Sequence, residues 1–294
     1  MKNSNPLISN NLNFPKRKLS EHKMISKHSS LKLSVLKYSF YFIGFLFLAN
    51  ALSAQENSSK FQHPLNIQAV GLYSKVQVDG SAWERRNGEK YQNNKTAKVE
   101  GEIKAFENLS FAINTGYTDF TQTDSGSYKG RDRIGFGLKT AWEGENWLFG
   151  MGVFGYSKNS TIPKTETFNP DFLLVRPYLG GGFRLLGFQV LANVEFQTET
   201  NSSFKEKYNE EFRRHYKAGA SIGYTFLDTL TLFLEAETRI PFNKEIDTNT
   251  RYGNVYPGIS YKTGVGTFAL SGGIPVINDR LFDRQVKVSY FYFW

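Results

Sequence analysis

From about residue 60 onward the chain alternates apolar and polar side chains with a period of two, in one short stretch after another. In residues 96–105, Ala97, Val99, Ile103 and Ala105 oppose Thr96, Lys98, Glu100, Glu102 and Lys104. In residues 131–142, Ile134, Phe136, Leu138 and Trp142 oppose Arg131, Arg133 and Lys139. The same pattern recurs in 109–119, 188–197, 213–226 and 230–240. Side chains on a strand point alternately to opposite faces, so such alternation predicts strands whose two faces meet different surroundings. Few helical folds survive that constraint, and the aromatic content of 16% with 26 Gly fits sheets better than helices.

The connections alternate as well. Tight turns are expected at Glu107-Asn108, 143–146, Leu186-Gly187, Leu227-Asp228 and 262–266. Between them lie longer polar stretches at 79–94, 120–130, 158–170, 199–211, 242–252 and 277–280. Five short turns and six long loops imply twelve strands, with short turns on one side and long loops on the other. Three strands are irregular. The parity slips within 65–78, 171–185 carries Pro177 and Gly180-Gly181-Gly182, and 253–262 carries Pro257. Proline removes a ladder hydrogen bond, so ten strands is the alternative.

Alternation alone does not say which face is outside. The polar face is rich in Gly, Ser, Asn and closely spaced charges, as a wet interior would be. The apolar face carries aromatics near strand ends, namely Trp142, Trp147, Tyr224, Tyr290 and Trp294, as membrane-interface girdles do. A closed barrel is the sheet form that leaves no backbone edge in lipid. The expected fold is therefore all-β: a transmembrane antiparallel up-and-down β-barrel. The last ten residues, "QVKVSYFYFW", keep Val286, Val288, Tyr290, Tyr292 and Trp294 on one parity up to the end. This resembles the C-terminal strand signal of bacterial outer-membrane β-barrel proteins, with Trp where that signal usually has Phe. The resemblance is to the porin-like class and to no particular family. It implies outer-membrane lipid and the barrel-assembly machinery as partners.

The charge is unevenly spread. The formal charge is +9, but residues 1–54 hold eight of the 36 basic and one of the 27 acidic residues. The remaining 28 basic and 26 acidic residues nearly cancel, which demotes nucleic acid as a partner. Lys32 and Lys37 precede the uncharged apolar run "YSFYFIGFLFLA", and Ala49, Ala51, Ser53 and Ala54 follow. That order predicts a cleaved signal peptide. The run is 12 residues long, short of the roughly 20 that span a bilayer as a helix. Residues 1–54 are assigned to an N-terminal extension and signal, with Met24 as an alternative start, and residues 55–294 to the barrel.

Little in the sequence points to catalysis. Cys is 0, which excludes thiolate chemistry and disulfides. Gly150 to Gly155 fits G-x-G-x-x-G, but Pro163 and no helical period follow, so packing glycines are the better account. The body has two histidines, His63 and His215, and no spacing suited to a metal. No cofactor is expected. The polar parity places Lys98, Lys104, Arg131, Arg133, Lys139, Arg176, Arg184, Arg213, Lys217, Arg239, Lys262 and Lys287 inside, with Glu100, Glu102, Glu195, Glu235 and Glu237. A ring of fixed cations favours anions. Cross-strand pairing of the acids with Arg213 and Lys217 is the competing use of these charges, and it leads to a closed barrel. Twelve strands about 4.8 Å apart and tilted about 40° make a cylinder roughly 24 Å across. Arg and Lys side chains would narrow it to about 10 Å or less. The expected function is passive diffusion of small hydrophilic solutes, with a preference for anions. The alternatives are a surface barrel for adhesion or ligand binding, and a barrel enzyme acting on lipid.

Overall fold

The computed structural model describes residues 59–87, 90–123, 126–162, 173–200, 214–241, 251–277 and 281–294. The expected signal, residues 1–54, lies outside them. Among the described residues there is no helix. The strands are β1 (Lys75–Asn87), β2 (Lys90–Phe106), β3 (Leu109–Gln122), β4 (Gly126–Arg131), β5 (Gly135–Glu143), β6 (Trp147–Tyr156) and β7 (Leu173–Leu185). They continue with β8 (Phe188–Thr200), β9 (Arg214–Phe226), β10 (Leu230–Pro241), β11 (Tyr252–Thr263), β12 (Gly266–Pro275) and β13 (Arg284–Phe293).

All pairings are antiparallel, and β1 pairs with both β2 and β13, so the sheet closes on itself. Both β4 and β5 lie along β3, β4 opposite residues 117–122 and β5 opposite residues 109–114. They are two stretches of one strand, and the barrel is twelve-stranded. The two prolines do not shorten this count. Pro177 stands opposite Val153 and Pro257 opposite Leu234 on one side. On the other side the ladder skips residues 176–177 and 256–257 and resumes in the same register. A missing N–H costs one bond locally and leaves the register to the flanking pairs.

The break between β4 and β5 has a cause in the neighbouring loop. The Arg131 N–H donates to Thr161 Oγ1 (2.7 Å), and its carbonyl accepts from the Thr161 N–H (2.9 Å). The backbone of Arg131 is thus used by residues 157–162 instead of by the ladder. Parity flips across the break. Gly130 pairs with inward Thr118, whereas Arg131 pairs with outward Tyr117. Arg131 therefore lies on the outer-facing parity, which corrects its expected place in the lumen.

The five short turns, between β2 and β3, β5 and β6, β7 and β8, β9 and β10, and β11 and β12, share one end of the barrel. At Leu186-Gly187 both turn residues have positive φ, 50° and 84°. That twist matches the strands it joins. Leu227 (φ 50°) and Asp228 (φ 59°) are also left-handed. A left-handed leucine costs about 1–2 kcal/mol. At the other end the expected loops 79–94 and 120–130 are largely strand, because β1 and β2 run on to Asn87 and Lys90, and β3 and β4 pair up to Gln122 and Gly126.

The wall is apolar outside. On β8, Phe188, Val190 and Val194 are exposed while Leu191, Asn193 and Glu195 are buried. Exposed Phe, Leu, Ile and Val recur in this way from strand to strand. Buried Lys75, Glu102, Lys139, Glu195 and Glu235 face inward. Left in water, this exterior would cost about 25 cal/mol for every Å² of apolar surface. The fold is inside-out relative to a soluble sheet protein, and it suits a lipid surround.

Candidate functional site

The candidate site is the lumen, and the short-turn half of it is filled by the chain itself. Residues 65–78, expected as one strand of irregular parity, are not one strand. The strand begins at Lys75, and residues 59–74 form an inner segment folded inside the wall. The segment closes on itself through the Ser59 N–H donating to the Leu72 carbonyl (2.9 Å) and Tyr73 Oη donating to the Phe61 carbonyl (3.1 Å). Phe61, Ile67, Val70 and Leu72 then pack with the inward side chains Ala141, Leu148 and Leu191. Leu65 packs instead with Ala269 and Phe291.

Space for this segment comes from glycine. A Cβ on Gly150 would lie 2.9 Å from Val70 Cγ1, one on Gly180 2.7 Å from Val70 Cγ2, and one on Gly219 2.8 Å from Ile67 Cγ2. Larger inward residues at these positions would exclude the segment. This is the structural use of the first glycine in the G-x-G-x-x-G run. The third, Gly155, lies on the outward parity, where a Cβ would have nothing within 4 Å.

Wall side chains hold the segment by its backbone. The Glu235 carboxylate accepts from two consecutive amides, Leu65 N–H (2.7 Å) and Asn66 N–H (2.5 Å). Asn193 Nδ2 donates to the Gln68 carbonyl (2.6 Å), Lys139 Nζ to the Gly71 carbonyl (2.9 Å), and Lys287 Nζ to the Leu65 carbonyl. Lys139 also donates to both oxygens of Glu102 (2.8 and 2.9 Å), and Glu102 Oε1 accepts from Ser110 (2.8 Å) and the Tyr73 N–H (3.1 Å). Both charges are fully buried. Such a pair is stable when its remaining bonding capacity is used, as it is here. Five buried apolar side chains at about 1.5–3 kcal/mol each put on the order of 10 kcal/mol, as an upper estimate, behind the segment's position.

The long-loop half is organised by ion pairs. Arg176 donates to both oxygens of Glu195 (2.9 and 2.7 Å) and to Tyr156 Oη (2.9 Å). Lys217 pairs with Glu237 (2.5 Å), which also accepts from Tyr256 Oη (2.6 Å). Arg239 donates to His215 Nδ1 (2.9 Å). Lys75, opposite Glu102 in the ladder and fully enclosed, pairs with Glu100 (2.8 Å) in the short-turn half, and Lys287 pairs with Asp79 (3.6 Å). Asp79 falls in an expected loop and Lys75 in a strand of irregular parity, so the sequence pattern misses both.

The remaining expected lumen residues are scattered. Lys98 is exposed, opposite Asp79 and Gly116. Lys104 is half-buried near Ser74. Arg133 is buried at the break between β4 and β5. Arg184 sits at the short-turn end, bonded to the carbonyls of Glu145 (2.8 Å) and Lys60 (3.1 Å). Lys262 is exposed next to the β11–β12 turn. Arg213 lies outside the described residues. Arg131 donates to the Asn159 carbonyl from the outer parity. Trp142 and Trp147 are exposed outward beside the β5–β6 turn. Tyr224, Tyr290 and Trp294 lie at the same end of the wall, Tyr224 against Phe188 and Trp294 against Tyr292. Among the described residues no group of His, Cys, Asp and Glu is arranged to hold a metal.

No protein-family model matches the chain, and no curated protein matches its sequence. Its fold does match solved structures. An outer-membrane channel from Pseudomonas putida F1 superposes with a TM-score of 0.59 at 10% identity, covering 80% of this chain and 100% of that one. The NanC porin superposes with a TM-score of 0.51 at 9% identity, covering 74% and 99%. The KdgM porin reaches 0.47 at 13% identity, covering 74% and 99%. At these identities the likeness is one of fold. The chain has the fold of an outer-membrane β-barrel of the porin-like kind, with twelve strands closed around a lumen.

Proposed function

We propose that this protein is a narrow outer-membrane channel for small hydrophilic solutes, with a preference for anions. The observation that carries this reading is the long-loop half of the lumen. There the paired cations Arg176 and Lys217 keep 22% and 24% of their side chains exposed, whereas their partners Glu195 and Glu237 are at 2% and 7%. Fixed cations that face solvent lower the energy of an anion in a confined aqueous space and raise that of a cation. The inner segment fills the other half, so the expected unit conductance of the intact chain is small. The likeness in fold to a channel and to a porin supports the same direction.

On this reading residues 1–54 are the export leader, and the strand ending at Trp294 is what the assembly machinery engages. The two histidines of the body have structural contacts. His63 packs between Tyr73 and Phe291, and His215 bonds Arg239. That favours a non-enzymatic role. The test is conductance of the refolded protein in a planar bilayer under a salt gradient. A reversal potential on the anion side is expected, and Arg176→Gln is expected to reduce it. No conductance from either the intact chain or a chain lacking residues 59–72 would overturn the reading.

One observation favours a second reading, a closed barrel displaying its surface. The inner segment is packed as tightly as a core, and β1 and β2 pair along their whole length up to Asn87 and Lys90. A steady pore opened only by deleting residues 59–72 would favour this alternative.

A further inference from the structure

The five short turns are of two kinds. Three consecutive ones, joining β7 to β12, carry an apolar residue at the tip: Leu186 is 86% exposed, Leu227 92% and Val265 66%. The two others, joining β2 to β3 and β5 to β6, carry Glu107-Asn108 and Glu143, Glu145 and Asn146, all exposed. Leu186 and Leu227 also hold a left-handed backbone that Gly or Asn would adopt with less strain. An exposed, strained leucine on two adjacent turns is doubly unfavourable in water.

These tips are continuous with the lipid-facing wall. Leu185 and Phe188 flank Leu186, Phe226 adjoins Leu227, and Tyr261 and Phe268 flank the turn bearing Val265, all exposed outward. Four carbonyls of the same turns are satisfied by protein. The Gly187 carbonyl accepts from the Thr225 N–H (3.0 Å) and the Thr229 carbonyl from the Lys262 N–H (2.7 Å). Tyr290 Oη donates to the Val265 carbonyl, and Thr263 Oγ1 donates to that of Gly266 (2.8 Å). Backbone placed at the edge of a bilayer needs such internal partners. Lys262, also exposed at this end, has the reach to meet headgroups.

We propose that the β7–β12 arc of short turns is immersed in the phospholipid leaflet on that side, with Leu186, Leu227 and Val265 in contact with acyl chains. The polar tips of the β2–β6 arc stand in water beyond the outward Phe106 and Trp147, so the barrel sits tilted or locally deeper on one flank. The chain enters the lumen beside the wet arc, where the Lys60 N–H bonds Glu143 (2.6 Å).

The chain has no cysteine, so single Cys variants of the full chain can be labelled cleanly. Nitroxide labels on Leu186→Cys, Leu227→Cys and Glu145→Cys, with Val194→Cys as a mid-wall control, are compared in phosphatidylethanolamine–phosphatidylglycerol vesicles. The ratio of collisions with oxygen to collisions with a water-soluble nickel chelate at 186 and 227 is expected several-fold above that at 145. Equal ratios at 145, 186 and 227 would overturn the proposal. So would labels at 186 and 227 shielded from both reagents, which would mean a protein contact. A control at 194 open to nickel would instead overturn the membrane-barrel reading itself.

Discussion

The two halves of the lumen are built on opposite principles. The short-turn half is dry: Phe61, Ile67, Val70 and Leu72 pack against Ala141, Leu148 and Leu191. Its charges, Lys139 and Glu102, are enclosed and mutually satisfied. The long-loop half is a mesh of pairs whose cations keep some contact with solvent, Arg176 at 22% and Lys217 at 24% side-chain exposure. The first half resembles the core of a soluble domain, and the second a polar surface turned inward. Burial is what separates them. An enclosed charge pair binds its surroundings into one geometry, while a half-wet pair leaves its cation able to meet a passing solute.

This contrast can be broken by experiment. The largest effect is expected from removing residues 59–72, which should turn a small conductance into a steady one several-fold larger. An unchanged conductance would show that the dry half does not limit flow. Next, Lys139→Met leaves Glu102 buried without its cation and should cost about 3–5 kcal/mol. Urea unfolding followed by heat-modifiable gel mobility measures this. A loss as large from Lys217→Met would erase the distinction between the halves. Third, Gly180→Leu forces a side chain against Val70 and should cost about 1–3 kcal/mol. The same assay checks it, and conductance should rise if the segment is pushed aside. The smallest change in unit conductance is expected from Arg176→Gln, which removes the charge but leaves a donor for buried Glu195 and should shift the reversal potential toward cations. A shift of equal size from Arg184→Gln would place the selective region at the short-turn end, where Arg184 bonds two carbonyls.

Much of the wall was legible in the residues. Period-two alternation names the inward and outward sets strand by strand because side-chain direction on a strand is a local property. The turns at Glu107-Asn108, Leu186-Gly187 and Leu227-Asp228 were legible for the same reason. Arg131 was not, because its face depends on a break induced by Thr161, a residue on another connection. Nor was the extent of β1 and β2, whose polar outer ends look like loop until each is seen to pair with the other. The inner segment left one trace in the sequence: inward glycines at 150, 180 and 219, and an inward leucine at 191 on a face otherwise made of Gln189, Asn193, Glu195 and Gln197. Such a face needs something apolar to fill it, but nothing local says what.

By itself, then, the order of residues determined an antiparallel wall with an apolar outside, a polar inside and a strand running up to Trp294. Only the closed structure decided that residues 59–74 lie within that wall, and which charges they leave beside solvent. Strand direction and turn chemistry act over a few residues. The hold of Glu235 on Leu65 and Asn66, 170 and 169 positions away, exists only after the sheet has closed.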